Sequence, residues 1–242
     1  MPKKNVIIEE VPPEHHVLSG GYIREWILGA NDGVVSVFTL VAGMTGAAVS
    51  NKIIIIAGLA TVVGASISMG LGTYISTKSE NEYYQQEIAR ERYEIEEMPD
   101  KERQELVEFY EKKGFKGKLL KQVVDTIFAD KEVTLQEMLK EEIGVTEEDF
   151  KNPRLVGLFT SGAFVIGALP PILPYFFYTE AHPALVISAA LSLAFVFTAG
   201  ALRTLLTGKK WWKSGIEMVL VGVVAATITY YLGMLVGVSG LG

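Results

Sequence analysis

The chain has 242 residues, 49% hydrophobic and 21% charged, with formal net charge −6 and a pI near 5.2. That acidic balance argues against a nucleic-acid binder. Cysteine is absent, which excludes disulfides, zinc–thiolate sites and thiol chemistry, and three histidines are too few for a His-rich metal centre.

The charges are unevenly spread. Residues 78–151 hold 21 acidic and 13 basic side chains, 34 of the chain's 50 formal charges in 74 residues. That block is net −8, and the remaining 168 residues are net +2. Those residues fall into apolar runs of about 20 or more, long enough for a helix to cross ~30 Å of hydrocarbon. The expected fold class is all-α: a multi-pass membrane protein with five transmembrane helices and a cytosolic helical insertion between helices two and three.

Residues 1–20 are polar, contain Pro12-Pro13, and read as a cytosolic tail without a cleavable signal. Spans are predicted at about 26–48 and 53–75, making 21–77 the first membrane unit. Residues 78–152 form the insertion. Residues 153–242 hold spans at about 155–178, 183–206 and 215–238. The 203–213 loop carries Arg203, Lys209, Lys210 and Lys213, which assigns it to the cytoplasm. With five spans, the insertion shares that side. Trp211 and Trp212 suit an interfacial anchor there.

No breaker separates span two from the insertion. One helix over 53–97 would measure about 65 Å at ~1.5 Å per residue. Met98-Pro99 ends it, and Pro99 suits the first turn of a second helix over 100–113. Gly114 and Gly117 stop that helix, and a third stretch, 119–129, follows. A last one, 134–143, reads as capped by Thr134 with Glu137 and stopped by Gly144. Pro170, Pro171 and Pro174 predict a kink or unwound stretch in span three.

Asp32 lies in span one, where a central carboxylate costs about 2.5–3.5 kcal/mol on insertion scales. Ser36, Thr39 and Gly43 continue its face at i+4, i+7 and i+11. Two readings are open: a group lining a path, or an interfacial carboxylate that caps or snorkels. Span two has Ala60, Gly64, Ser68 and Gly72 every four residues, a close-packing stripe. Met69 beside it is either apolar filler or a weak thioether ligand.

In the insertion, Glu91 and Glu94 are three apart, and Glu102 and Glu105 repeat that spacing. Each pair shares a helix face. A turn at Met98-Pro99 lets the pairs confront each other, where like charges repel unless a cation sits between them. Carboxylates without His or Cys suit magnesium, calcium, manganese or ferrous iron. Met138 and Glu142, four apart, add a sulfur and an oxygen, and the sulfur favours transition metals. In so acidic a segment, E-x-x-E pairs also arise by chance. His15, His16 and His182 read as solvated, and Glu217 as a local charge partner of the basic loop. There is no P-loop, dinucleotide fingerprint or nucleophile elbow.

Asn31-Asp32-Gly33 with Val34–Gly43, and Ser66-Ile67-Ser68-Met69-Gly70-Leu71-Gly72-Thr73-Tyr74, resemble the first two membrane helices of the vacuolar iron transporter (nodulin-21-like) family. The resemblance covers about 19–241. It implies a non-enzymatic, proton-coupled antiporter moving divalent iron, often manganese too, out of the cytosol. It also implies a homodimer with its path near the two-fold axis. Asp32 and Met69 would line that path, with Ser36 and Thr61 beside them. The family's metal-binding glutamates fall on Glu91, Glu94, Glu102, Glu105 and Glu142, with Met138.

Two positions depart from the pattern. Thr61 stands where some iron-transporting members carry a glutamate, and Leu139 where insertions often have a second methionine. A carboxylate di-iron oxidase on a membrane anchor and a metal sensor are the rival readings. Di-iron sites normally carry a His in each half, and the insertion has none. Metal ions are expected as substrate rather than prosthetic group, and lipid as the surroundings. The short tail favours a prokaryotic cell membrane, and a eukaryotic source would mean a vacuolar one.

Overall fold

The computed structural model describes residues 21–144, 150–207 and 210–239. The tail at 1–20, with His15 and His16, and Lys209 of the basic loop lie outside the described residues. The described chain is helical without strands: α1 (Gly21–Gly46), α2 (Asn51–Glu97), α3 (Pro99–Lys112), α4 (Gly117–Phe128), α5 (Lys131–Met138), α6 (Pro153–Ile172), α7 (Pro174–Phe177), α8 (Ala181–Thr207) and α9 (Trp211–Val238). Helices α1, α2, α6, α8 and α9 are long and apolar enough to cross a membrane. These are the five predicted spans.

Helix α1 is the hub, because it packs against α6, α9, α8 and α2. Small residues permit this. A side chain at Gly33 would run into the Phe164 carbonyl of α6, and one at Gly167 into the Ala30 carbonyl of α1. Lower on α1, Gly43 and Gly46 meet Thr229 and Tyr230 of α9, and Gly233 returns the contact at Gly43. Lipid offers no hydrophobic drive between helices, so this close backbone approach supplies the dispersion contacts that hold them.

Polar side chains close the membrane part. Ser188 Oγ donates to the Pro171 carbonyl at 2.7 Å. The predicted proline break is a helix end at Ile172 followed by the short α7. Prolines at 170, 171 and 174 have no N–H to donate, and where the helix ends the Pro171 carbonyl accepts from Ser188 instead. Asn51 Nδ2 donates to the carbonyls of Tyr175 at 2.8 Å and Tyr178 at 2.5 Å. Thr45 and Tyr175 hydroxyls share a 2.8 Å bond in the core.

Helix α2 runs unbroken for 47 residues, as its sequence predicts. Its exit, the start of α6 and the start of α1 meet at one end of the bundle. There Asn81 Nδ2 donates to the Lys151 carbonyl at 2.8 Å, and Lys151 Nζ pairs with Glu25 at 3.3 Å. Beyond that end, α3, α4 and α5 form a small core around Leu106, Leu120, Val124 and Met138. Arg92–Glu132 at 3.2 Å and Lys131–Glu96 at 3.6 Å tie α5 back to α2.

Two local expectations change. The cap of the last insertion helix is Asp130, whose carboxylate accepts from the amides of Glu132 and Val133. Thr134 lies inside that helix instead, bonding the Ile127 and Asp130 carbonyls. Gly117 starts α4 rather than stopping α3, while Gly144, with φ 72°, ends the π-helical turn Leu139–Ile143.

Because the α1–α6 crossing has no room for a side chain, Gly33→Leu should destabilise the detergent-solubilised chain by about 1–3 kcal/mol, the usual scale of overpacking. Gly162, with nothing within 4 Å of an added Cβ, is the control. Gly162→Ala should leave the thermal midpoint unchanged or raise it.

Candidate metal centre and membrane path

The α2–α3 elbow builds the carboxylate site. Met98 leaves helical geometry at φ −128°, ψ 47°, and Pro99 opens α3 at its first turn. The reversal places the last turns of α2 against the first of α3. Ligand oxygens of Glu91, Glu94 and Glu102 come within 4.8 Å of one another. Glu91 is 1% exposed and Glu102 is fully buried. Glu91 Oε1 and both Glu102 oxygens are buried without a hydrogen-bond partner among the described residues.

Desolvation is the largest influence on Glu91, followed by Glu102 and then Glu142. Together they push its carboxyl from 4.5 up to about 8. Burial also raises Glu102; the adjacent Glu91 carboxyl and Lys101 oppose it, while Glu105 and Glu94 add to it. Burying several acids without donors is costly, and either a retained proton or a bound divalent cation would relieve that cost. Three carboxylates with a fourth nearby make a hard-oxygen set suited to manganese, ferrous iron, magnesium or calcium.

The other predicted ligands take different places. Glu142 is exposed, yet close enough to raise Glu91. Glu105 is held by the Lys101 ammonium at 3.1 Å, on the outer rim of the trio. Met138 is buried and packs with Leu106, Leu120 and Val124, so its thioether serves the apolar core of the insertion.

In the membrane part, Asp32 is exposed in the single chain and accepts from Ser36 Oγ at 3.3 Å. Thr39 donates to the Ser36 carbonyl at 3.0 Å, while Gly43 packs on α9. Thr61 and Met69 are partly buried on α2, and Met69 packs against the core that includes Val37, Val41 and Phe164.

The sequence reading passed over two groups. Lys101 touches three acidic side chains of the elbow, and its spacing four residues before Glu105 was the available signal. Glu25 has a buried, unpartnered Oε2 at the insertion end of α1. It stands seven residues before Asp32, on the same helix face.

Comparison with known proteins gives the family of this five-span chain with its acidic helical insertion. The VIT family model matches residues 23–234. This chain belongs to the VIT family. It is 34% identical to "Vacuolar iron transporter 1" of Oryza sativa subsp. japonica, over 90% of this chain and 86% of that protein. It is 32% identical to the Arabidopsis thaliana protein of the same name, over 97% and 94%. A "Vacuolar iron transporter" of Toxoplasma gondii is 31% identical over 91% and 76%. Relatives of this VIT chain are thus named as transporters, a function that is not enzymatic.

The raised Glu91 carboxyl predicts a pH signature for this VIT insertion. Unfolded, the group ionises near 4.5; folded, near 8. The folded state therefore holds the extra proton between those values. Its contribution to stability is full below about 4.5 and is lost as pH rises through about 8. Melting of metal-free protein should show this fall across the window. A bound divalent ion displaces the proton, so metal affinity should rise up to about pH 8 with measurable proton release. Affinity independent of pH would contradict the assignment.

Proposed function

We propose that this VIT-family chain is a homodimeric antiporter that moves divalent iron, manganese or both out of the cytosol in exchange for protons. The observation that carries the reading is the trio Glu91, Glu94 and Glu102, two of them buried, at the elbow that ends the helix bearing Met69. The family relationship supplies the direction of interpretation, since relatives are named as iron transporters.

On this reading the insertion lies in the cytosol and gathers the ion. The side assignment is supported by Arg203, Lys210 and Lys213 at the α8–α9 connection, because basic connections stay cytoplasmic. Glu91, Glu94 and Glu102 bind directly, Glu142 joins from the π turn, and Glu105 shapes the rim. The ion then passes to Asp32, whose carboxylate holds either a proton or the metal. That exclusivity is the coupling. Met69 offers a weak ligand that lets the ion leave, with Ser36 and Thr61 beside the route.

Dimerisation is supported by what α2 leaves uncovered. Ala60, Gly64, Ser68 and Gly72 form an exposed small-residue stripe, and an added Cβ at Gly64 or Gly72 would meet nothing within 4 Å. A second copy packed there would enclose the path between subunits. Thr61 supplies no acid where some family members have one. This chain therefore relies on Asp32 for proton exchange. The membrane is the cell membrane in a prokaryote and the vacuolar membrane in a eukaryote.

Proteoliposomes with an imposed pH gradient test the proposal. The wild-type chain should accumulate ferrous iron or manganese against the proton flow. Asp32→Asn should reduce flux to background while metal binding at the insertion persists. Glu102→Gln should do the reverse, weakening binding and raising the metal concentration needed for flux. Undiminished proton-driven flux in Asp32→Asn would sink the mechanism.

A further inference from the structure

Lys101 lies one residue before Glu102, at the start of α3. Its ammonium is 3.1 Å from Glu105 Oε1, 3.4 Å from Glu94 Oε2 and 3.7 Å from Glu102 Oε1. It therefore reaches acids on both arms of the elbow, two of them members of the trio. Its side chain is 54% exposed, whereas that of Glu102 is fully buried. The lysine thus caps the rim and leaves the inner oxygens, Glu91 Oε1 and Glu102 Oε2, without a partner.

We propose that Lys101 is a tethered counter-cation of this site: it neutralises the rim carboxylates in the metal-free chain, is displaced to solvent when a divalent ion enters, and thereby sets how tightly the ion is held and how fast it leaves. The inference rests on the metal-binding reading of the trio.

Three physical points support it. A divalent ion touching several oxygens at ~2.0–2.6 Å has twice the charge of an ammonium and comes closer, so it wins the exchange. Leaving is easy for Lys101, because its stem and ammonium already stand in water and a flexible ammonium hydrates well. Returning is also easy, since the same three carboxylates stay within reach. A transporter needs its collecting site to release cargo, and a competitor on a short tether speeds release without narrowing the choice of divalent ion.

The test uses the full-length chain in detergent with manganese chloride, read by loss of the free Mn2+ electron paramagnetic resonance signal, and with ferrous chloride under anaerobic conditions. Lys101→Met removes the competing charge. Metal should bind on the order of tenfold tighter, the scale of one unit charge a few ångströms from a divalent ion in a water-screened site. Chelator-triggered release should slow by a similar factor. Lys101→Gln should behave like Lys101→Met, and Lys101→Arg should stay near wild type.

A lysine that merely braces the elbow would act differently. Its loss would loosen the carboxylate geometry and weaken binding. Unchanged or weaker affinity in both Lys101→Met and Lys101→Gln, with melting of the metal-free chain confirming that they fold, overturns the proposal. Glu102→Gln separates the two levels. If that change leaves metal binding intact, the metal-site reading itself fails, whatever Lys101 does.

Discussion

One uninterrupted helix sets the geometry of everything else. From Asn51 to Glu97, α2 contains no proline, and its glycines at 58, 64, 70 and 72 all lie in the apolar half. Its length, 47 residues at ~1.5 Å each, is about 70 Å, more than twice a hydrocarbon layer. The helix therefore cannot end at the membrane face. It carries Met69 inside the apolar part and presents Glu91 and Glu94 about 33 and about 38 Å beyond, at ~1.5 Å per residue. Any tilt of α2 in the bilayer moves both groups together. A hinge near Lys78 would uncouple them, and Lys78 instead pairs with Glu82 one turn on, at 3.6 Å. An exposed pair of this kind adds little energy, so the backbone hydrogen bonds keep the rod continuous.

The small residues sort into two groups with different consequences. Gly33, Gly70, Gly157 and Gly167 are buried at backbone-to-backbone contacts and fix how α1 and α2 lie on α6. Gly64 and Gly72 sit on the same α2 but meet nothing. Within one helix the sequence gives Gly64, Gly70 and Gly72 of α2 the same appearance, as small residues in an apolar run. Only the partner distinguishes them. The first group is consumed by the fold of one chain, and the second is left over, which is why the uncovered α2 face matters for assembly.

Much of this architecture is legible in the residues. Apolar runs mark the spans because a bilayer demands about 20 apolar residues of any helix that crosses it. Met98-Pro99 marks the elbow because proline restricts the residue before it. The E-x-x-E spacing marks a shared face, and the elbow turns two faces into one cluster. Less legible is anything that depends on tertiary contact. Met138 has the right spacing to join Glu142, but the apolar pocket of Leu106, Leu120 and Val124 claims its side chain. Asp130 outcompetes Thr134 as a cap because the chain enters that helix four residues earlier than its pattern suggests. Lys101 reads as one basic residue among 13 in the acidic block until the elbow folds it onto three acids.

The junction between membrane and insertion shows how the two materials of this chain are tied together. Glu25 of α1, Asn81 of α2 and Lys151 before α6 form a polar clasp at the end of the bundle. Tyr84 and Phe150 stack edge-on beside it, with centroids 5.9 Å apart. The clasp fixes both ends of the acidic insertion to the helix that bears Asp32. Glu25 in turn shares a face with Asp32, about 10 Å away along α1 at ~1.5 Å per residue. On the proposed route, an ion leaving the elbow would meet carboxylates at intervals, first Glu25 and then Asp32. The charge asymmetry of the sequence, net −8 in one block against +2 elsewhere, is what the proposed transport would use: a block of negative potential that would concentrate a cation, and isolated acids in the apolar part that would pass it on.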